Sequence, residues 1–146
     1  MVTSTTAYLD SDIACITPLQ EAVEEAVAEQ QPYTILACLP QTLPGEVTAD
    51  VVQVVAECIQ SMLRDEDISG LLEGNIVVVG LPGTDASGAR VLAHRLQSEL
   101  TLRSTPLRNT LWDAAFACLP EQGLTADELL EAAIELARTR RRRLAE

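Results

Sequence analysis

The chain has 146 residues, 47% of them hydrophobic, and a formal net charge of −12 at pH 7. That length and apolar content supply one cored domain over 1–146, and the charge argues against a general nucleic-acid or anionic-membrane binder, because phosphate binding begins with a basic surface. No run approaches the roughly 18 apolar residues of a membrane helix, and MVTSTTAYLDSD has neither the basic nor the apolar stretch of a secretory leader, so a cytoplasmic protein is expected.

In chain order, residues 1–15 read as a polar, frayed start. Thr17 with Pro18 then opens a helical pattern in which Leu19, Val23, Ala26 and Val27 share one side, closing near Gln30-Gln31-Pro32. Tyr33 to Leu39 is a continuous apolar run bounded by prolines and too short for a helix, which suits a central strand covered on both faces. After a loop over Pro40 to Glu46, Thr48 caps a helix whose Val51, Val52, Val55, Ile59, Met62 and Leu63 recur at three- and four-residue steps. Asp67 to Pro82 reads as strand, Gly-containing turn, strand: a β-hairpin hinged on Glu73-Gly74, with Gly80-Leu81-Pro82-Gly83 breaking its second strand.

Asp85 or Ser87 starts the next helix, with Ala89, Leu92, Ala93, Leu96 and Leu100 on one face and His94 and Arg95 beside it. Residues 101–110 are polar and hold Pro106, and Trp112 to Leu119 is another strand. Thr125 opens the last helix, Glu128 completes a capping box, and Leu129, Leu130, Ala133, Leu136 and Ala137 form its apolar side. The order α-β-α-β-β-α-β-α contains a βαββαβ ferredoxin-like core, an α+β sandwich with a helix added at each end.

The four cysteines, Cys15, Cys38, Cys58 and Cys118, are scattered among apolar neighbours without a C-x-x-C pair, so buried free thiols are expected rather than a zinc site or a disulfide frame. No metal and no cofactor are expected. Lysine is absent, and five of the ten arginines lie in Arg138–Arg143. That Arg-rich tail over 139–146 reads as a helix C-terminus whose cations complement the macrodipole, with a docking role as the alternative.

The hairpin, set between these helices, resembles that of the GGDEF domain family, the bacterial diguanylate cyclases, whose tip carries Gly-Gly-Asp/Glu-Glu-Phe. Laid over that motif, Glu73-Gly74-Asn75-Ile76-Val77 keeps one glycine and has Asn75 and Ile76 where the acidic pair stands, a degenerate tip. Other segments resemble the family in order: Ile16-Thr17-Pro18-Leu19, Leu81-Pro82-Gly83-Thr84-Asp85, Ala93-His94-Arg95-Leu96, and Leu124 to Leu130 running on to Ala137-Arg138. The resemblance implies a cyclase-like fold in which two Mg²⁺ ions are held by an aspartate at the end of the first core strand and by the hairpin acid. Between Tyr33 and Gly45 there is no Asp or Glu, and Ala49 falls where a guanine-reading Asp would stand, so no catalysis is expected.

Arg64-Asp65-Glu66-Asp67 is similar to the family's Arg-x-x-Asp inhibitory site at its usual spacing before the turn. The resemblance implies a cyclic di-GMP site made of Arg64, Asp67 and, on the following helix, Arg95, with arginine forking onto guanine. Against it stands the plainer reading of Arg64 as an exposed residue paired to Asp65 or Asp67, and of Arg95 as a partner for Glu99. Two functions follow: a non-catalytic signalling domain that receives cyclic di-GMP, or a ligand-independent module for a protein partner or a homodimer. A thiol enzyme using His94 rests only on a cysteine and a histidine occurring in one chain.

Overall fold

The computed structural model describes residues 12–40, 48–72, 74–102 and 112–145, with only the backbone of 12–16, 101 and 140–145. Residues 1–11, 41–47, Glu73 and 103–111 lie outside the described residues, and with them most of the expected frayed start, of the loop after Pro40 and of the polar segment 101–110, as do the side chains of Cys15 and of Arg140 to Arg143.

The elements are α1 (Asp12–Glu29), β1 (Tyr33–Pro40), α2 (Ala49–Gln60), β2 (Ile68–Leu72), β3 (Ile76–Pro82), α3 (Ala86–Leu102), β4 (Trp112–Cys118) and α4 (Ala126–Ala145). They follow the expected order. The four strands form one antiparallel sheet in the order β2-β3-β1-β4. All eight residues of β1 are buried, as a central strand between two helical layers requires. Its even-numbered side chains, Leu36 and Cys38, join α2 and α3 in one apolar cluster, and its odd-numbered Tyr33, Ile35, Ala37 and Leu39 join α1 and α4 in a second. The result is a three-layer sandwich, two helices on each face of the sheet. No helix among the described residues is long and apolar enough to cross a membrane.

Several local expectations are corrected: residues 12–15 of the expected frayed start are helical, α2 ends before Met62 and Leu63, and Leu136, placed on the apolar side of α4, is 47% exposed. Helix α1 begins at Asp12 and carries Pro18 inside it, so Thr17 is not its N-cap. The proline removes one backbone donor, and the helix still continues because Leu19 and Val23, at 1% and 0% exposure, anchor the turns after it in the core. Val27, placed with that face, is instead 41% exposed. Thr48 occupies the N-cap of α2 through its backbone carbonyl, which accepts from Val52 N at 3.1 Å, while its hydroxyl caps nothing. Gly80 does not end β3: it lies within the strand, where a Cβ would run into the Tyr33 hydroxyl and Leu19 Cδ2.

Candidate functional site

Helix α2 unwinds through Ser61, whose N–H donates to Glu57 O at 3.1 Å and whose hydroxyl donates to Cys58 O at 2.7 Å. The chain then makes a self-closing turn. Asp67 N donates to Arg64 O at 3.1 Å, and Asp67 Oδ2 accepts from Arg64 N at 2.8 Å. An Arg-x-x-Asp spacing therefore has a local reason: the aspartate at the fourth position reaches back to the first residue's N–H, as Asp does in turns.

The same carboxylate takes the arginine's head group. Arg64 NH2 donates to Asp67 Oδ1 at 3.1 Å, to Pro82 O at 2.9 Å and, at the limit, to Thr84 Oγ1 at 3.4 Å, while Glu66 stands 3.7 Å from NH1. The Asp67 side chain is 2% exposed and that of Arg64 51%. Arg64 thus ties the end of α2 to the start of β2 and the exit of β3. That exit is held from the other side as well, by Thr34 Oγ1 donating to Thr84 O at 2.7 Å and Gly83 N donating to Pro32 O at 3.0 Å. Gly83 has φ 72°, which only glycine adopts readily.

Of the three residues expected at the inhibitory-type site, Arg64 and Asp67 meet and Arg95 stands apart. Arg95 is exposed on α3, the helix that packs beside α2, and makes no ion pair among the described residues. His94 is exposed next to it, whereas Cys38, Cys58 and Cys118 are buried.

At the hairpin tip, Gly74 and Asn75 have φ 89° and 63°, so the turn needs two left-handed residues and holds a glycine and an asparagine. Ile76, at 7% exposure, turns into the same apolar cluster as Leu39 at 3%, and Val77 is fully buried in the other. No group of three metal-ligating side chains occurs among the described residues.

Sequence reasoning missed Thr34 and Asp113. Each is the polar residue in a short apolar run and each is buried, Thr34 at 0% and Asp113 at 3% exposure, the one visible mark they leave. Thr34 Oγ1 lies 3.1 Å from Cys118 Sγ. Burial pushes the Cys38 thiol far up, with Asp113 and Cys58 adding to it, and burial raises Cys118 against the lowering effect of the Thr34 hydroxyl. Cys38, Cys58 and Cys118 are free and buried, as expected.

This architecture is an α+β sandwich built on one four-stranded antiparallel sheet. More particularly, the chain has the fold of the GGDEF domains of diguanylate cyclases. The GGDEF domain of YfiN (TpbB) from Pseudomonas aeruginosa superposes with a TM-score of 0.78 at 20% identity, covering 94% of this chain and 92% of that one. The active GGEEF domain of a diguanylate cyclase from Vibrio cholerae gives 0.76 at 15% identity over 88% of each chain. The GGDEF domain of DgcB from Caulobacter crescentus, solved in complex with cyclic di-GMP, gives 0.79 at 17% identity over 92% of this chain and 84% of that one. No protein-family model matches the sequence, and no curated protein matches it.

Proposed function

We propose that this chain is a non-catalytic regulatory domain of the GGDEF kind that acts through contact with a protein partner. One observation carries the reading. At the positions where the resemblance places Mg²⁺ carboxylates there are none: β1 holds no Asp or Glu and its Leu39 packs into an apolar cluster, and the hairpin acids are replaced by Asn75 and by Ile76 of that same cluster. A hard divalent cation pair requires carboxylate oxygens, and here Leu39 and Ile76 supply no oxygen and Asn75 a single neutral one, so the residues present do not fit the metal pair. Incubation of the purified chain with GTP and either Mg²⁺ or Mn²⁺, followed by separation of nucleotides, should yield no cyclic di-GMP. Formation of that product in proportion to enzyme would overturn the reading.

The closed Arg64–Asp67 pair favours a contact that needs no nucleotide, since both Asp67 oxygens already accept from Arg64. A second reading, reception of cyclic di-GMP, is favoured by the half-exposed Arg64 guanidinium with exposed Arg95 on the neighbouring helix. It also draws on the cyclic di-GMP complex of the DgcB domain. For it, guanine has to reach the carboxylate of Asp67, whose side chain is 2% exposed and already accepts from Arg64 at each oxygen. Calorimetric titration with cyclic di-GMP separates the two: no heat with the wild-type chain is the expected result, whereas saturable binding lost in Arg64→Ala would assign the domain as a receptor.

A further inference from the structure

Among the described residues β4 is the outermost strand on its side of the sheet, and a groove of about 830 Å³ runs along it between α3 and α4. The register decides which backbone groups face that groove. Leu119 N donates to Tyr33 O at 2.9 Å, so the odd-numbered residues of β4 exchange hydrogen bonds with β1 and the even-numbered ones turn outward.

Two of these outward positions are capped by glutamines. Gln97 Nε2 donates to Trp112 O at 2.8 Å, Gln122 Oε1 accepts from Cys118 N at 2.7 Å, and Gln122 N donates to Cys118 O at 3.1 Å. Ala114 is engaged as well. Among the described residues nothing bonds the outward N–H and C=O of Phe116, a donor and an acceptor in the pattern that one residue of an added strand would satisfy.

The walls specify more. Arg90 and His94 stand one turn apart on α3, both exposed, and Leu136 of α4 is 47% exposed along the opposite side. Acidic residues outnumber basic ones 22 to 10 in this chain, yet Arg90 has no ion pair among the described residues. The α3 wall from Ala86 to Gln97 is about 16 Å long, the length of about five extended residues.

We propose that this groove takes an extended, acidic segment of a protein partner. One residue of the segment exchanges hydrogen bonds with Phe116, its apolar neighbours cover Leu136, and a carboxylate meets Arg90 and His94. The site rests on the protein-contact reading above, and the two fail separately: product from GTP overturns that reading without touching the groove, and a silent titration empties the groove without restoring catalysis. Glu121, the groove's own carboxylate, would pair with a basic segment, so a lysine-bearing peptide tests the sign of the charge.

The test uses the full ¹⁵N-labelled chain with two probes, acetyl-Val-Glu-Val-Glu-Val-amide and its lysine counterpart. In the free protein the Phe116 amide should exchange with solvent at least about tenfold faster than those of Ala115 and Ala117. The glutamate peptide should shift it saturably below about 5 mM and slow its exchange. Arg90→Glu, a change at an exposed position, should weaken that binding by at least about fivefold while leaving the free spectrum otherwise intact. The proposal falls if no saturable shift appears, if the shifts map away from β4 and α3, if the lysine peptide binds equally, or if Arg90→Glu binds as well as wild type.

Discussion

Asp67 is a carboxylate with almost no solvent of its own, and its stability depends on one half-exposed arginine. Arg64→Ala takes the donor from Asp67 Oδ1 and Pro82 O, while the backbone N–H of residue 64 still holds Oδ2, so it should destabilise the fold by about 1–2 kcal/mol, the lower part of the range for charged hydrogen bonds because Arg64 is screened by water. Asp67→Asn placed on the Arg64→Ala background should recover part of that loss, and urea denaturation of the two single variants and the double variant gives the coupling directly. At the tip, Asn75→Val forces a β-branched residue into a left-handed backbone and should cost about 1–2 kcal/mol by the same measurement. The Arg-x-x-Asp spacing was legible in the sequence, but the latch was not, since its third member is the carbonyl of Pro82 and a backbone acceptor leaves no trace in residue identity.

Among the elements, β4 poses the problem of an outer strand with seven nearly unbroken apolar residues, the kind of edge that templates association. The two glutamine caps close its ends, and neither is visible as a pattern because each bond joins an amide to a carbonyl or N–H on another element. Gln97→Ala and Gln122→Ala should each cost about 1 kcal/mol. Together they should raise concentration-dependent light scattering of the folded protein; unchanged scattering and an unchanged urea midpoint would mean that the caps protect nothing. The strands themselves were legible because apolar runs of this length between prolines and glycines have few alternatives. Element ends were less so: α1 continues through Pro18 because tertiary burial of Leu19 outweighs a lost hydrogen bond. The capping box at α4 formed with Glu128 N donating to Thr125 Oγ1 at 3.2 Å, but the return bond reaches Leu124 N rather than Thr125 N, a shift of one residue that composition cannot encode.

For the whole molecule, two forces oppose folding as pH rises, and they can be told apart. The chain already carries a net charge of −12 at pH 7, so further deprotonation increases self-repulsion. Independently, Cys38 and Cys118 are raised in the folded state by burial, so the folded chain keeps thiol protons that the unfolded chain releases. A raised thiol contributes stability that is fully present below the unfolded value of about 8.5 and is lost as pH climbs toward the folded value, at up to about 1.4 kcal/mol per pH unit for the fully buried Cys38 and less for Cys118. Urea midpoints measured at pH 7, 9 and 10 should therefore fall above pH 9. Repulsion between exposed charges is screened by salt, whereas the cost of a buried thiolate is not. In about 0.5 M NaCl the decline should become shallower but persist, and Cys38→Ala should remove most of what persists, leaving the part that belongs to Cys118, while lowering stability at pH 7 only modestly. A decline abolished by salt would assign it entirely to surface charge and remove the thiols from the account.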